Sequence, residues 1–223
     1  MTMENDGITL LKRRLAQEQK EKLDRYRILN EKAVKGAILF TGSSLMENFP
    51  VNELLMSCGM PQIIYNRGIG GFTTCDMLEH MEEMVFGVEP SKIFINIGTN
   101  DIGDCNYDQK ELLVRYGKIL ALIQERLPKA AIYVMAYYPV NETDKPVEEE
   151  WAKDLFATRT NENINLINRE IEQMALSMNC KYIDLNDGLK DERGKLKKEF
   201  TVEGIHMYPN GYLVVLENLK KYL

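Results

Sequence analysis

The chain has 223 residues, of which 44% are hydrophobic and 28% charged, and its formal net charge is −6. That length carries one domain-sized core. The acidic balance argues against a broad nucleic-acid surface, which needs clustered Lys and Arg. The basic runs Lys12 to Arg14 and Lys195 to Lys198 sit among acids and read as solvated faces. The first residues, MTMENDGITLLKRR, have no basic start leading into an apolar core, so no secretory signal is expected. No run approaches the roughly 18 apolar residues of a membrane span. Cys58, Cys75, Cys105 and Cys180 stand far apart, with no C-x-x-C pair. They read as free thiols of a reducing compartment rather than a disulfide framework or a zinc site. A cytoplasmic location is expected.

Residues 8–33 are polar, with Ile8, Leu11, Leu15, Leu23, Tyr26 and Leu29 spaced for a helix face. Residues 1–35 therefore read as an N-terminal helical segment packed on the core, with a homodimer contact through it as the alternative. Five short apolar runs follow, at 37–40, 62–65, 92–97, 131–137 and 181–185. They are rich in Ile, Val, Tyr and Phe and mostly lack polar alternation, as strands buried on both faces do. Helical segments are expected at 51–57, 74–85, 108–127, 161–178 and 210–223. Strand alternating with helix predicts an α/β fold, a parallel sheet with helices on both sides. Residues 36–223 read as a single domain.

Sites in such sheets lie beyond the carboxyl ends of the strands. After the first run comes 41-TGSS-44, after the second 66-NRGIGGFTT-74, and after the third 98-GTND-101. The chain has two histidines. His80 lies among helix formers and reads as a partly exposed helix residue. His206 lies in 202-VEGIHMYPNGY-212, a Gly/Pro-rich loop before the last helix, and is a candidate general base. A serine nucleophile needs such a base, and the base needs an acceptor on its other ring nitrogen. Glu203, three residues before His206, would share its face if that loop turned helically. The glycines of 68-GIGG-71 can bring backbone N–H groups to an oxyanion, and Asn100 offers a side-chain amide. Serines behind a strand also cap helices, and glycines and Asn-Asp pairs also make turns.

Taken in order, these blocks resemble those of the SGNH hydrolases, the GDSL esterase/lipase family. 40-FTGSSL-45 resembles the nucleophile block, 66-NRGIGGFTT-74 the glycine block, 98-GTND-101 matches G-x-N-D, and 203-EGIHMYPNGY-212 resembles D-G-x-H followed by a G-Y helix start. The resemblance covers residues 36 to 223. It implies a three-layer α/β/α sandwich on a five-stranded parallel sheet, flavodoxin-like in strand order, with no metal or organic cofactor. It makes Ser44 the nucleophile and His206 the base. The oxyanion hole would be the N–H of Ser44, the N–H of Gly71 and the amide of Asn100. Two positions depart from the pattern. Ser43 stands where the family usually has Asp, and Glu203 where the triad has Asp. The group orienting His206 could be Glu203, a backbone carbonyl, or Asp184 or Asp187; we favour Glu203.

The resemblance implies a serine esterase acting on a small-molecule ester, with acetyl on a carbohydrate as the expected substrate class. A lysophospholipase or thioesterase is the alternative within that chemistry. A non-catalytic flavodoxin-like protein, with 41-TGSS-44 cradling a flavin phosphate, is the alternative outside it. Trp151, Tyr138 and Arg159, in or beside the long segment after the fourth run, are candidate pocket residues.

Overall fold

The computed structural model describes residues 2–104, 106–144 and 155–223. A long helix, α1 (Thr2–Asn30), precedes the first strand. The strands are β1 (Ile38–Gly42), β2 (Ile64–Gly68), β3 (Lys92–Asn96), β4 (Ala131–Met135) and β5 (Lys181–Ile183). They form one parallel sheet in the order β2-β1-β3-β4-β5, the flavodoxin-like order. Between and after them run α2 (Ser44–Glu47), α3 (Val51–Ser57), α4 (Thr74–Glu79), α5 (Met81–Met84), α6 (Thr99–Ile102), α7 (Gln109–Arg126), α8 (Leu155–Thr158), α9 (Asn161–Ser177) and α10 (Pro209–Leu219).

The strand residues alternate between two apolar layers, as the two-residue period of a strand requires. Leu39, Ile93, Ile95, Ile132 and Val134 face one layer, with Leu23 of α1 and the apolar stripes of α4, α5, α7 and α9. Phe40, Phe94, Tyr133, Met135 and Ile183 face the other, with α2, α3 and α10. The fold is therefore a three-layer α/β/α sandwich around a five-stranded parallel sheet. Ile93, Phe94 and Ile95 of β3 are wholly buried. Burying each such side chain contributes about 1.5–3 kcal/mol, which explains the apolar runs.

Three elements differ from their sequence expectation. β2 begins two residues late and continues through Asn66 and Arg67. The side chain of Asn52 brackets Ile64, accepting from its N–H and donating to its carbonyl, while Ile63 faces solvent. Arg67 can be buried there because its guanidinium lies over the rings of Tyr26 and Tyr65 and donates to Asn30. The helix expected at 74–85 breaks at His80, whose ring stacks on Phe72 at 5.7 Å. The break lets Met77 before it and Met81 and Met84 after it all reach the core. β4 stops at Met135, because the peptides around Tyr137 bond side chains instead of a strand. Tyr137 N–H donates to Asn168, and its carbonyl accepts from Asn168 and Asn186.

Candidate active site

The strand order reverses between β1 and β3, and the residues following β1, β2 and β3 meet at that switch point. Ser44 opens α2 directly after β1. Ser43 before it is extended, and its carbonyl accepts from the N–H groups of Met46 and Glu47. Its hydroxyl makes no capping bond and has no partner among the described residues. Two anchors hold the turn. Asn66 donates to the carbonyl of Met46 at 2.6 Å while accepting from Gly68 N–H. Tyr212 of α10 donates to the carbonyl of Leu45 at 2.9 Å.

Ser44 Oγ lies 2.8 Å from His206 Nε2, and His206 Nδ1 lies 2.6 Å from Glu203 Oε1. The same carboxylate oxygen accepts from the backbone N–H of His206 at 3.0 Å. Residues 203–206 do not make a helical turn. A short antiparallel bridge, Thr201 with Met207, closes the loop, and Thr201 Oγ1 accepts from Gly204 N–H at 2.7 Å. Gly204 has φ +108, and a Cβ there would overlap the carbonyl of Asn141. That bend lets the longer Glu203 side chain reach the ring. Burial pushes the Glu203 carboxyl up, but the bond and charge of His206, with the N–H groups of His206 and Ile205, outweigh it and hold it below its ordinary value. Asp184 accepts instead from the N–H of Asn186.

The glycine block ends in a tight turn. Gly71 has φ +79, a conformation that favours glycine. Thr73 then caps α4 in a capping box with Asp76. Neither Ser44 N–H nor Gly71 N–H donates to another group among the described residues. Asn100 stands in α6 beside them. Its amide nitrogen donates to the carbonyl of Phe72 at 2.9 Å, and its oxygen accepts from Arg159 Nη2 at 3.2 Å. A guanidinium can only donate and a carbonyl can only accept. The amide orientation is therefore fixed from both sides, and one of its two N–H donors is left over. Asp101 fastens this corner. Buried, it accepts from Thr74 N–H at 2.9 Å and from the Thr74 hydroxyl, with Arg115 alongside.

Two of the candidate pocket residues are buried. Tyr138 is buried in the apolar layer of α2, α3 and α10 and presents no open face. Arg159 is 4% exposed, packed against Gly103 with its guanidinium on Asn100, so it meets the site through that amide and does not line an open pocket. Burial pushes its pKa down to about 10, against the opposing charge of Glu203. Trp151 lies outside the described residues. Among the described residues no three His, Cys, Asp or Glu gather as a metal would require, and no helix is long and apolar enough to cross a membrane. The spacing of motifs gives no signal for Arg159 at Asn100, since 59 residues separate them.

Fold and geometry together define an α/β enzyme class with Ser, His and carboxylate at the switch point of a parallel sheet. A model of the GDSL-like lipase/acylhydrolase family matches residues 51–214. The chain belongs to that family, whose members are ester-bond hydrolases. The match begins beyond Ser44 and takes in Gly71, Asn100, Glu203 and His206. A solved structure described as a platelet activating factor from Streptococcus pneumonia is 33% identical, covers 98% of both chains and has a TM-score of 0.87. The rat platelet-activating factor acetylhydrolase IB subunit alpha2 is 24% identical over 196 residues, 86% of this chain and 78% of that protein. An Escherichia coli N-acylneuraminate cytidylyltransferase is 29% identical over 157 residues, 70% of this chain, and the chain spans about a third of its length. The family assignment separates the chain from the flavodoxin-like ligand-binding alternative.

Proposed function

We propose that the chain is a serine acylhydrolase that removes a small acyl group, acetyl foremost, from a carbohydrate or similar small molecule. The observation that carries the chemistry is the hydrogen-bonded line Ser44 Oγ, His206, Glu203. A seryl hydroxyl is a weak nucleophile until a base takes its proton. His206 Nε2 is placed to do so, and Glu203 on Nδ1 holds the tautomer that leaves Nε2 free. Ser44 then attacks the ester carbonyl. The oxyanion meets the N–H of Ser44, the N–H of Gly71 and the second amide hydrogen of Asn100. His206 passes its proton to the leaving alcohol, and water repeats the sequence on the acyl-enzyme.

Losing one such donor costs about 10²–10³ in kcat. Asn100→Ala is expected to lose that much in turnover of a p-nitrophenyl ester, with KM little changed. Turnover near wild type would remove Asn100 from the oxyanion hole.

The names of two relatives support the substrate class. One relative is an acetylhydrolase, and another is named for an N-acylneuraminate, a sugar acid. A second reading, a longer acyl chain as in a lysophospholipase, has one observation in its favour. Leu15 of α1 is 45% exposed and lies against Gly71, 3.4 Å from where a Cβ there would stand. Rates across p-nitrophenyl esters of increasing length decide between them. kcat/KM falling steadily from acetate is the expected result; a maximum at long chains would favour the second reading.

A further inference from the structure

α1 runs alongside the glycine turn, and three of its side chains make hydrogen bonds or ion pairs there. Gln19 Nε2 donates to the carbonyl of Gly70 at 2.7 Å, and Tyr26 donates to the carbonyl of Gly68 at 2.8 Å. Lys22 pairs with Glu47, one turn after Ser44 in α2, and the other oxygen of Glu47 accepts from Gly70 N–H at 2.6 Å. No motif marks Gln19, Lys22 or Glu47, and their separations of 51, 25 and 23 residues from these partners leave no local signal.

The carbonyl of Gly70 and the N–H of Gly71 belong to one peptide group. That group is planar and trans, so its C=O and N–H point in opposite directions. A donor that fixes the carbonyl toward α1 fixes the N–H away from α1. The preceding peptide is fixed in turn by Glu47 on Gly70 N–H. Glycine would otherwise leave both planes free to rotate. A hydrogen bond on the carbonyl also polarises the N–H at the far end of the same group.

We propose that Gln19 is a positioning residue for catalysis: it orients the Gly70–Gly71 peptide so that Gly71 N–H faces the developing oxyanion, with the Lys22–Glu47 pair holding the peptide before it. The assignment rests on Gly71 acting as an oxyanion donor, as proposed above. α1 is then part of the site's support and not an appendage to the sheet.

The test compares the full-length wild type with Gln19→Met, which removes the donor at similar size, and Gln19→Glu, which keeps the shape and cannot donate when ionised. Gln19 is only partly buried, so both variants are expected to melt within a few degrees of wild type. On p-nitrophenyl acetate both are expected to lose about ten- to thirtyfold in kcat with KM unchanged, since an oxyanion donor acts in the transition state. The rate of Ser44 phosphonylation by a fluorophosphonate should fall in parallel. Wild-type kcat in both variants, in an enzyme whose wild type is labelled at Ser44, overturns the role of Gln19 and leaves the nucleophile in place. A wild type that hydrolyses the ester without labelling at Ser44 overturns both.

Discussion

Ser44→Ala is expected to abolish turnover, lowering kcat by about 10⁵–10⁶ on any ester the wild type accepts, as loss of a triad serine does elsewhere. Nothing in the fold should change. The hydroxyl bonds His206 Nε2 and no other group among the described residues, and the turn is held by backbone bonds to the Ser43 carbonyl and by Asn66 and Tyr212. The melting temperature should therefore stay near that of wild type. Ser43 gives the control. Its hydroxyl is buried with no partner among the described residues, so Ser43→Ala removes no hydrogen bond and should keep most of the activity. Loss of activity in Ser43→Ala equal to that in Ser44→Ala would mean that the nucleophile had been misassigned.

The second large effect is expected at Glu203. Glu203→Gln keeps the shape but can present an amide N–H₂ to Nδ1, which favours the tautomer with its proton on Nε2. A change of this kind costs about 10⁴ in kcat. It should also alter stability with a definite sign. The folded state holds the Glu203 carboxyl below its ordinary value. Its contribution is therefore present above the ordinary glutamate range, near about 4.3, and is lost as pH falls through the lowered folded value. The wild type should melt higher than Glu203→Gln at neutral pH, and the gap should close in acid. A gap that is constant from neutral pH down through the carboxylate range would show that the ionised form contributes nothing. If Glu203→Gln kept wild-type kcat, a different acceptor would have to orient His206.

The sheet was legible because its inner strands β1, β3 and β4 are buried on both faces, so 92–97 and 131–137 read as continuous apolar runs rather than as alternating ones. The loops after β1, β2 and β3 were legible because Gly, Ser and Asn cluster at strand ends. The pairing of Glu203 with His206 was legible as a spacing but not as a conformation. The expected helical turn is a bridged loop bent at Gly204, a backbone feature set by Thr201 within the loop and by Asn141, distant in sequence. Tyr138 misled for a related reason. The run of β4 continues past its last ladder bond, and the side chain that seemed to open the loop stays in the core. Arg159 and Gln19 touch Asn100 and Gly70 from 59 and 51 residues away, and no pattern local to either residue announces them.

Covalent labelling tests the central claim most directly. The full-length wild type is incubated with a fluorophosphonate, digested, and the modified residue mapped by mass spectrometry. A single phosphonyl adduct on Ser44, with matching loss of esterase activity and no adduct in Ser44→Ala, is the predicted result. Efficient modification at another residue, or full esterase activity with Ser44 unmodified, would contradict it.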